Sequence, residues 1–439
     1  MPIAATFRRS LRPLMMGLLL WTGACTHVPP AARPVEPLTL ATAPPVAEPA
    51  APATQTGTEA LLASLESLAS HGLDPSAYGP AEISSLPAGS DARTEAARNA
   101  WLLAATHLRH GALDRTTLTP RTGIDPTLAS LLTGIESSSN VDAFVAALDR
   151  AAPARSEYAS LRSELARERA GLPLLATPEE SAAAAARIDT LRINLERLRW
   201  LPSDTGQRYV LANIPAFEVT AVSESGDAER HDAIFGKVST KTPQFSDQIE
   251  YVVFNPWWDV PASIARRDKL PQFRADPGVI ARLGYRIYDR DGKAVDPSGI
   301  DWNTVSASAF PYHIRQMPGP SNALGQVKIM FPNPDNVYLH DTSEKALFDR
   351  EVRTFSSGCI RVKDPLDLAE WVLRDLPGWD RTAIDTAVTS GAETRVDLEA
   401  SIPVHVVYLT ASPGADGAIR YSADVYKLDA ALLAALDAS

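Results

Sequence analysis

Tyr338-Leu339-His340-Asp341 and Ser356-Ser357-Gly358-Cys359-Ile360-Arg361, whose cysteine stands nineteen residues beyond the histidine, carry the reading of this chain. The thiolate is the nucleophilic form of cysteine, whereas a free thiol with a pKa of about 8.5 is mostly protonated at neutral pH; a nearby imidazole can take its proton. Gly358 lets the backbone approach a ligand closely, and the N–H groups from Ser357 to Cys359 can then point at a developing oxyanion. Arg361 stands two residues after the cysteine, so in extended chain it shares a face with Cys359 and either favours the thiolate or holds a substrate carboxylate. Tyr338 shares a face with His340 by the same alternation. These residue types predict acyl transfer, with Cys359 as nucleophile and His340 as base. The plain alternative is a cysteine filling apolar space and a histidine at a strand end. Asp341 adjoins His340 but falls on the opposite face if the strand continues, so no third residue that orients the imidazole is identifiable.

His340 ends one of several short β-branched and aromatic runs. Beyond Pro202 these occupy 209–214, 217–222, 233–238, 249–254, 285–288, 327–331 and 337–340. Turns such as Ser225-Gly226-Asp227 and Asp291-Gly292 separate them, which predicts a mixed or antiparallel β structure. One helix, 366–375, is expected after Cys359, followed by strands at 404–409 and 418–426 and a terminal helix from Leu428. Residues 257–324 interrupt the strands with charged and Pro-rich sequence, including Arg266-Arg267-Asp268-Lys269. They read as an insertion of the kind that serves as a lid or binding loop. His313 within it reads as a surface residue, and His231 and His405 carry no motif.

On the N-terminal side the periodicity is helical. Leu61, Leu65 and Leu68 fall at spacings of four and three before Gly72 and Pro75, and a stretch over 92–110 places Trp101, Leu102, Ala105 and Leu108 on one stripe. Further helical windows lie near 141–148 and 155–169, so 57–170 reads as all-α. His71, His107 and His110 have no partners at ligand spacing and read as surface or packing residues. Thr177-Pro178-Glu179-Glu180 is a helix start: a hydroxyl cap, Pro at the first position, and carboxylates at the positive end of the dipole. The helix it opens should reach about Trp200, packing Ile188, Leu191, Leu195 and Leu198 between the two modules. Arg187, Arg192, Arg197 and Arg199 are expected on its solvated face.

Arg8, Arg9 and Arg12 precede a short apolar run over 14–21, then Gly23 and Ala24 before Cys25, the order of an export signal over residues 1–24. The run is too short for the roughly 20 apolar residues that span a membrane. Cys25 and Cys359 are the two cysteines of the chain, so a disulfide framework is excluded. Between Pro29 and Pro52 eight prolines occur in twenty-four residues. Such chain extends about 3.1 Å per residue and makes a tether reaching on the order of 70 Å from Cys25. The length of 439 residues allows two or three domains. Lys and Arg total 42 against 53 for Asp and Glu, a net charge of −11, which argues against nucleic acid as a partner.

The string around His340 and Cys359 resembles the active-site signature of L,D-transpeptidases with the YkuD-type catalytic domain: a histidine, a spacer of about this length, Ser/Thr-His-Gly-Cys, an apolar residue, and Asn or Arg. Ser357 stands where the pattern has its second histidine, a replacement familiar in the long, scaffold-bearing YcbB-like subgroup, and it puts any role of that histidine in doubt. The resemblance extends to Arg208–Phe217, Gly236-Lys237, Thr242-Pro243 and Asn255-Pro256-Trp257-Trp258. No peptidoglycan-binding module is recognisable between the helical segment and Arg187, where longer relatives carry one.

The resemblance implies an α+β chain: an all-α scaffold domain (57–175), a connecting helix (176–204), a β-sandwich-like YkuD catalytic domain (205–390) with a capping-subdomain insertion (257–324), and C-terminal strands and a helix (391–439) packing on those domains. It implies that Cys359 attacks the carbonyl of the third stem residue of a peptidoglycan tetrapeptide, that His340 is the base, and that Gly358 and Ser357 supply backbone oxyanion donors. Arg361, Tyr338, Ser356 and Trp257 would bind substrate. D-Alanine leaves, and an acceptor amine takes the thioester to give a 3→3 cross-link. Carbapenems would acylate the same thiol, and no cofactor or metal is implied. Gly23-Ala24-Cys25 resembles a bacterial lipobox, with Thr22 where Leu is usual; simple cleavage after Ala24 explains the same small residues. With Thr26 next, a lipidated Cys25 would anchor residues 25–56 to the outer membrane of a Gram-negative periplasm. Two other readings keep the same residues: an L,D-carboxypeptidase or hydrolase that hands the thioester to water, and a non-catalytic wall-binding lipoprotein.

Overall fold

A computed structural model describes residues 57–439, all within the compact unit 54–439. The export signal, Cys25 and the Pro-rich tether lie outside the described residues.

Helices Gly57–Ser64, Asp91–His110 and Val141–Ala151 build the N-terminal core around Trp101, Phe144, Leu65, Leu68 and Leu108, all fully buried. Ser90 caps the long helix by accepting from Arg93 N. His71 and His107 are packing residues in that core. The His71 ring bonds Tyr158 Oη and Asp149, and His107 bonds Tyr78 Oη and the Arg121 carbonyl. His110 pairs with Asp125 near the surface.

The helix Pro178–Arg199 begins with the expected motif, here a complete capping box between Thr177 and Glu180. Leu191, Leu195 and Leu198 fill a core shared with Tyr158, Leu161 and Leu165 of helix Ser156–Gly171 and with Tyr209, Leu211 and Val407 from the strands. The expected solvated arginine face is half wrong. Arg187 lies near the surface, paired with Glu168, whereas Arg197 and Arg199 are buried. Arg199 donates to Glu196, to Tyr158 Oη and to the His71 carbonyl, and Arg197 pairs with Asp429 of the C-terminal helix. A helix covered on several sides has no solvated face in its last two turns, and its charges are paired inside instead.

The β module contains β1 (Tyr209–Asn213), β2 (Glu218–Val222), β3 (Ala228–Gly236), β4 (Phe245–Phe254), β5 (Trp258–Asp259), β6 (Tyr285–Tyr288), β7 (Ala294–Val295), β8 (His313–Gln316), β9 (Val327–Met330), β10 (Leu339–His340), β11 (Thr354–Ser356), β12 (Ile360–Val362) and β13 (Thr394–Val407). The main sheet runs β11-β3-β12-β10-β9-β4-β13-β1-β2, and β2 pairs back onto β3, so the pairings form a circuit. Within it pack Val210, Phe235, Phe254, Phe331, Leu339, Ile360 and Val404. β13 lies in the middle of this sheet, parallel to β1 and antiparallel to β4. The expected boundary at residue 390 therefore cuts the sheet, which runs to residue 407. Between helix Pro365–Leu373 and β13 lies a second helix, Arg381–Thr389, absent from the sequence reading. The run expected as a strand over 418–426 is mostly irregular: only Ile419–Tyr421 pairs, with Ala411–Pro413. The chain then returns to the scaffold, where Leu432 and Leu436 of helix Asp429–Asp437 enter the N-terminal core.

Residues 257–324 form a second small sheet, β5-β8-β6-β7, with a core of its own around Trp258, Phe273, Tyr285, Trp302 and Ile314. Its helical part includes a π-helical turn, Ala265–Lys269. Among the described residues no helix is long and apolar enough to cross a membrane.

Candidate active site

β10 and β12 are parallel neighbours, with Leu339 opposite Ile360 and His340 opposite Arg361. This register brings the two signature strings together: Leu339 and Ile360 point into the core, while the neighbouring positions line a cavity of about 720 Å³. His340, Tyr338, Cys359, Gly358, Ser357, Ser356 and Arg361 all line it. Its other wall comes from the 257–324 segment, through Trp258, Arg267, Lys269, Tyr285 and Gln316.

The loop before Cys359 is tied down from inside. Ser356 Oγ accepts from Gly358 N at 3.1 Å and donates to the Cys359 carbonyl at 2.6 Å. Gly358 takes φ of +126°, open to glycine and strained for other residues. Thr242 Oγ1 donates to the Gly358 carbonyl at 2.8 Å and accepts from Gly236 N at 2.9 Å. Tyr426 Oη, from the C-terminal segment, accepts from Thr242 N and donates to the Gly236 carbonyl. Ser356 is thus a buried bracket for the loop. Gly358 N–H is given to that bracket, which leaves Ser357 and Cys359 N–H as the loop's donors for an oxyanion.

Burial pushes the Cys359 thiol up to about 11, although the Tyr338 hydroxyl and Arg361 pull the other way. Its Sγ–H donates to the Asn336 carbonyl at 3.4 Å. Tyr338 Oη lies within hydrogen-bonding reach of both Cys359 Sγ and the Trp258 side chain, and burial raises that phenol well above its ordinary range. His340 is buried; burial first, then the Arg361 and Lys328 cations, lower its pKa to about 3. Its Nδ1 bonds the carbonyl of Asp341. A carbonyl only accepts, so Nδ1 carries the proton and Nε2 is the free lone pair. The strand ends at His340, and the orienting group that alternation could not supply is this neighbouring backbone carbonyl. The Asp341 carboxylate turns inward to accept from Gln326 N and from Lys345. It fits only because residue 325 is glycine, at φ +57°, where a Cβ would stand 2.1 Å from Asp341 Oδ2.

Arg361 is engaged with Glu344, and Ser357 Oγ accepts from Arg267 of the small sheet's π-helical turn at 2.7 Å. Among the described residues no group of three side chains is placed to hold a metal ion.

The family model described as the L,D-transpeptidase catalytic domain, YkuD, matches residues 207–397, and the Scaffold domain model matches 52–165. Residues 207–397 are a YkuD-type L,D-transpeptidase catalytic domain. A Haemophilus influenzae protein, itself only provisionally named an L,D-transpeptidase, is 36% identical over 221 residues, half of this chain and 44% of its own length. The chain thus aligns with less than half of that relative. Two solved structures, an L,D-transpeptidase from Mycobacterium smegmatis and L,D-transpeptidase 1 of Mycobacterium tuberculosis, each align over 46% of this chain and over 58% and 61% of their own lengths. Their identities of 14% and 16% and TM-scores of 0.21 and 0.19 carry no argument.

Within the transpeptidase domain one expected site residue is displaced. Trp257 does not line the cavity: its ring lies against the Arg315 guanidinium, 4.9 Å from the ring centre, and its backbone N–H donates to Glu393 Oε1. Trp258 lines it instead, because successive residues entering β5 face opposite ways. Asn336, Thr242 and Arg267 also went unread. Thr242-Pro243 belonged to the resemblance without a role, and nothing local marks a carbonyl or a distant arginine as part of a site.

Proposed function

We propose that the protein is a periplasmic peptidoglycan L,D-transpeptidase that forms 3→3 cross-links through a thioester on Cys359. The observation that carries this reading is the meeting of Cys359, the Nε2 lone pair of His340 and the hydroxyl of Tyr338 on one cavity beneath the 257–324 segment, in a YkuD-type domain.

At rest the pair is neutral, a thiol and an imidazole. The thiol turns from the Asn336 carbonyl toward His340 and attacks the carbonyl of the third stem residue. As the sulfur–carbon bond forms, the sulfur proton passes to Nε2, and the loop N–H groups of Ser357 and Cys359 donate hydrogen bonds to the oxyanion. Collapse breaks the amide bond, and the departing D-alanine nitrogen takes the proton from His340. The acceptor amine then attacks the thioester, gives its proton to His340, and sulfur leaves as thiolate and recovers that proton. One amide replaces another, so no cofactor is consumed. Water in place of the amine would give the hydrolase. The 257–324 segment walls the cavity and favours the amine by excluding water.

Localisation follows from residues 1–56: export, then anchoring of a lipidated Cys25 to the outer membrane, with the Pro-rich tether giving reach to the wall. Carbapenems, as acyl donors to the same thiol, are the inhibitor class this chemistry admits. The test is Cys359→Ala. It abolishes both the carbapenem adduct and cross-linking while leaving the fold intact; retained cross-linking in that variant removes the assignment.

A further inference from the structure

Two lysines of the cavity lining, Lys237 and Lys269, have no ion-pair partner among the described residues, and Lys269 is the more enclosed of the two. Lys269 closes the π-helical turn Ala265–Lys269, and its ammonium sits 5.3 Å from the Trp258 ring centre and 5.1 Å from that of Tyr285. Its one hydrogen-bond partner is Gln272 Oε1 at 3.5 Å, and no described carboxylate lies within 4 Å of it. Arg267 holds Asp268 in a two-pronged pair and Arg361 holds Glu344, while the exposed Lys237 lies near enough to act on Asp268. Burial lowers the Lys269 pKa from its ordinary value, although Asp268 and Glu344 lie near enough to oppose that. A half-buried ammonium held between two aromatic faces keeps part of its stabilisation from their π clouds. It also remains under-solvated, and an anion entering the cavity relieves that cost. Lys269, Trp258, Tyr285, Tyr338 and Cys359 line one cavity, and the Trp258 side chain reaches Tyr338, which reaches the thiol. The lysine therefore stands a short chain of side chains from the reacting sulfur.

We propose that Lys269, boxed by Trp258 and Tyr285, is the receptor for a carboxylate of the donor peptide. The inference rests on the transpeptidase reading and adds a recognition group to it. Two carboxylates of an acidic stem peptide share the required chemistry: the terminal one on the departing residue and a side-chain one further along.

The experiment measures acylation of Cys359 by intact mass, as rate against donor concentration. The full described chain is tested with three donors: the free acid, its C-terminal amide, and the side-chain amide. Wild type is expected to prefer the free acid over one of the two amides by roughly tenfold or more, expressed in KM and not in kcat. In Lys269→Gln that preference collapses to near unity with kcat little changed, and Lys269→Arg restores much of it. The amide that loses discrimination in Lys269→Gln identifies the carboxylate. A wild-type enzyme that takes all three donors alike overturns the proposal, as does a folded Lys269→Gln that keeps the preference. Absence of acylation with every donor in wild type, while a carbapenem still labels Cys359, overturns the transpeptidase reading itself and is thereby distinct. Lys269→Met, which keeps the apolar stem between the two rings, separates lost charge from lost packing: it must behave as Lys269→Gln does.

Discussion

The thiol of Cys359 donates to the backbone carbonyl of Asn336, 3.4 Å away, and no hydrogen bond joins it to His340. The nucleophile and its base share a cavity without sharing a proton at rest. Asn336 presents that carbonyl from a left-handed backbone conformation, φ +52°, which aims the chain back across the loop. With the thiol raised to about 11 and the imidazole lowered to about 3, the resting pair is neutral.

Alkylation of Cys359 by iodoacetamide should therefore rise about tenfold per pH unit between pH 7 and 9, without levelling, since only the thiolate reacts. The folded pKa lies above that of a free thiol, so the stability gained from holding the neutral thiol is complete below about pH 8.5 and is lost as pH rises toward about 11. A rate that reaches its plateau near pH 7 would show a pre-formed thiolate and contradict the neutral pair.

Ser356→Ala removes the hydroxyl that brackets Gly358 N and the Cys359 carbonyl. The variant should fold, with a stability loss of roughly 1–3 kcal/mol from the orphaned buried groups. Cys359 acylation should slow by at least tenfold in kcat with little change in KM, because the loop loses its shape and not its binding surface. Steady-state kinetics with unchanged kcat would refute the bracket.

Gly325→Ala places a Cβ against the Asp341 carboxylate and forces an unfavourable φ, for about 1–3 kcal/mol of destabilisation. Displacing Asp341 moves the carbonyl that holds His340 Nδ1, so kcat should fall further than thermal stability alone explains. The check is acylation measured well below the variant's own melting temperature; wild-type kcat there would separate Gly325 from the histidine.

Glu196→Gln breaks the fully buried pair with Arg199, which also stands against Tyr158 and the His71 carbonyl. Leaving a buried cation unpaired costs about 3–5 kcal/mol, read as a drop in the urea midpoint at constant slope. Below the transition, acylation of Cys359 should be unchanged. A loss under about 1 kcal/mol would mean that Arg199 finds its counter-charge elsewhere.

Much of this was legible because the informative features are local. The Thr177–Glu180 cap, the Leu191–Leu198 stripe and the string around Cys359 each report on residues a few positions apart, and each element is where its spacing puts it. What escaped is set by distant partners. Arg197 and Arg199 read as solvated because nothing nearby reveals that Asp429, Tyr158 and the His71 carbonyl close over them. β13 read as a C-terminal appendage because its partners, β1 and β4, lie well over a hundred residues earlier. Trp257 precedes the two-residue strand β5 and Trp258 opens it, and the register that places Trp258 comes from β8. The helix Arg381–Thr389 is short and buries one residue fully, Ile384, so it leaves almost no periodic signal.

The central claim is a thioester on Cys359 that ends as a 3→3 cross-link. The measurement that tests it most directly is intact-protein mass spectrometry of residues 57–439 incubated with disaccharide-tetrapeptide, with analysis of the muropeptides released. Expected are a covalent adduct on Cys359 lacking the terminal D-alanine, its absence in Cys359→Ala, and 3→3 dimers in solution. Tripeptide without dimers would transfer the thioester to water and make the protein a hydrolase, and no adduct with either donor or carbapenem would contradict catalysis by this cysteine altogether.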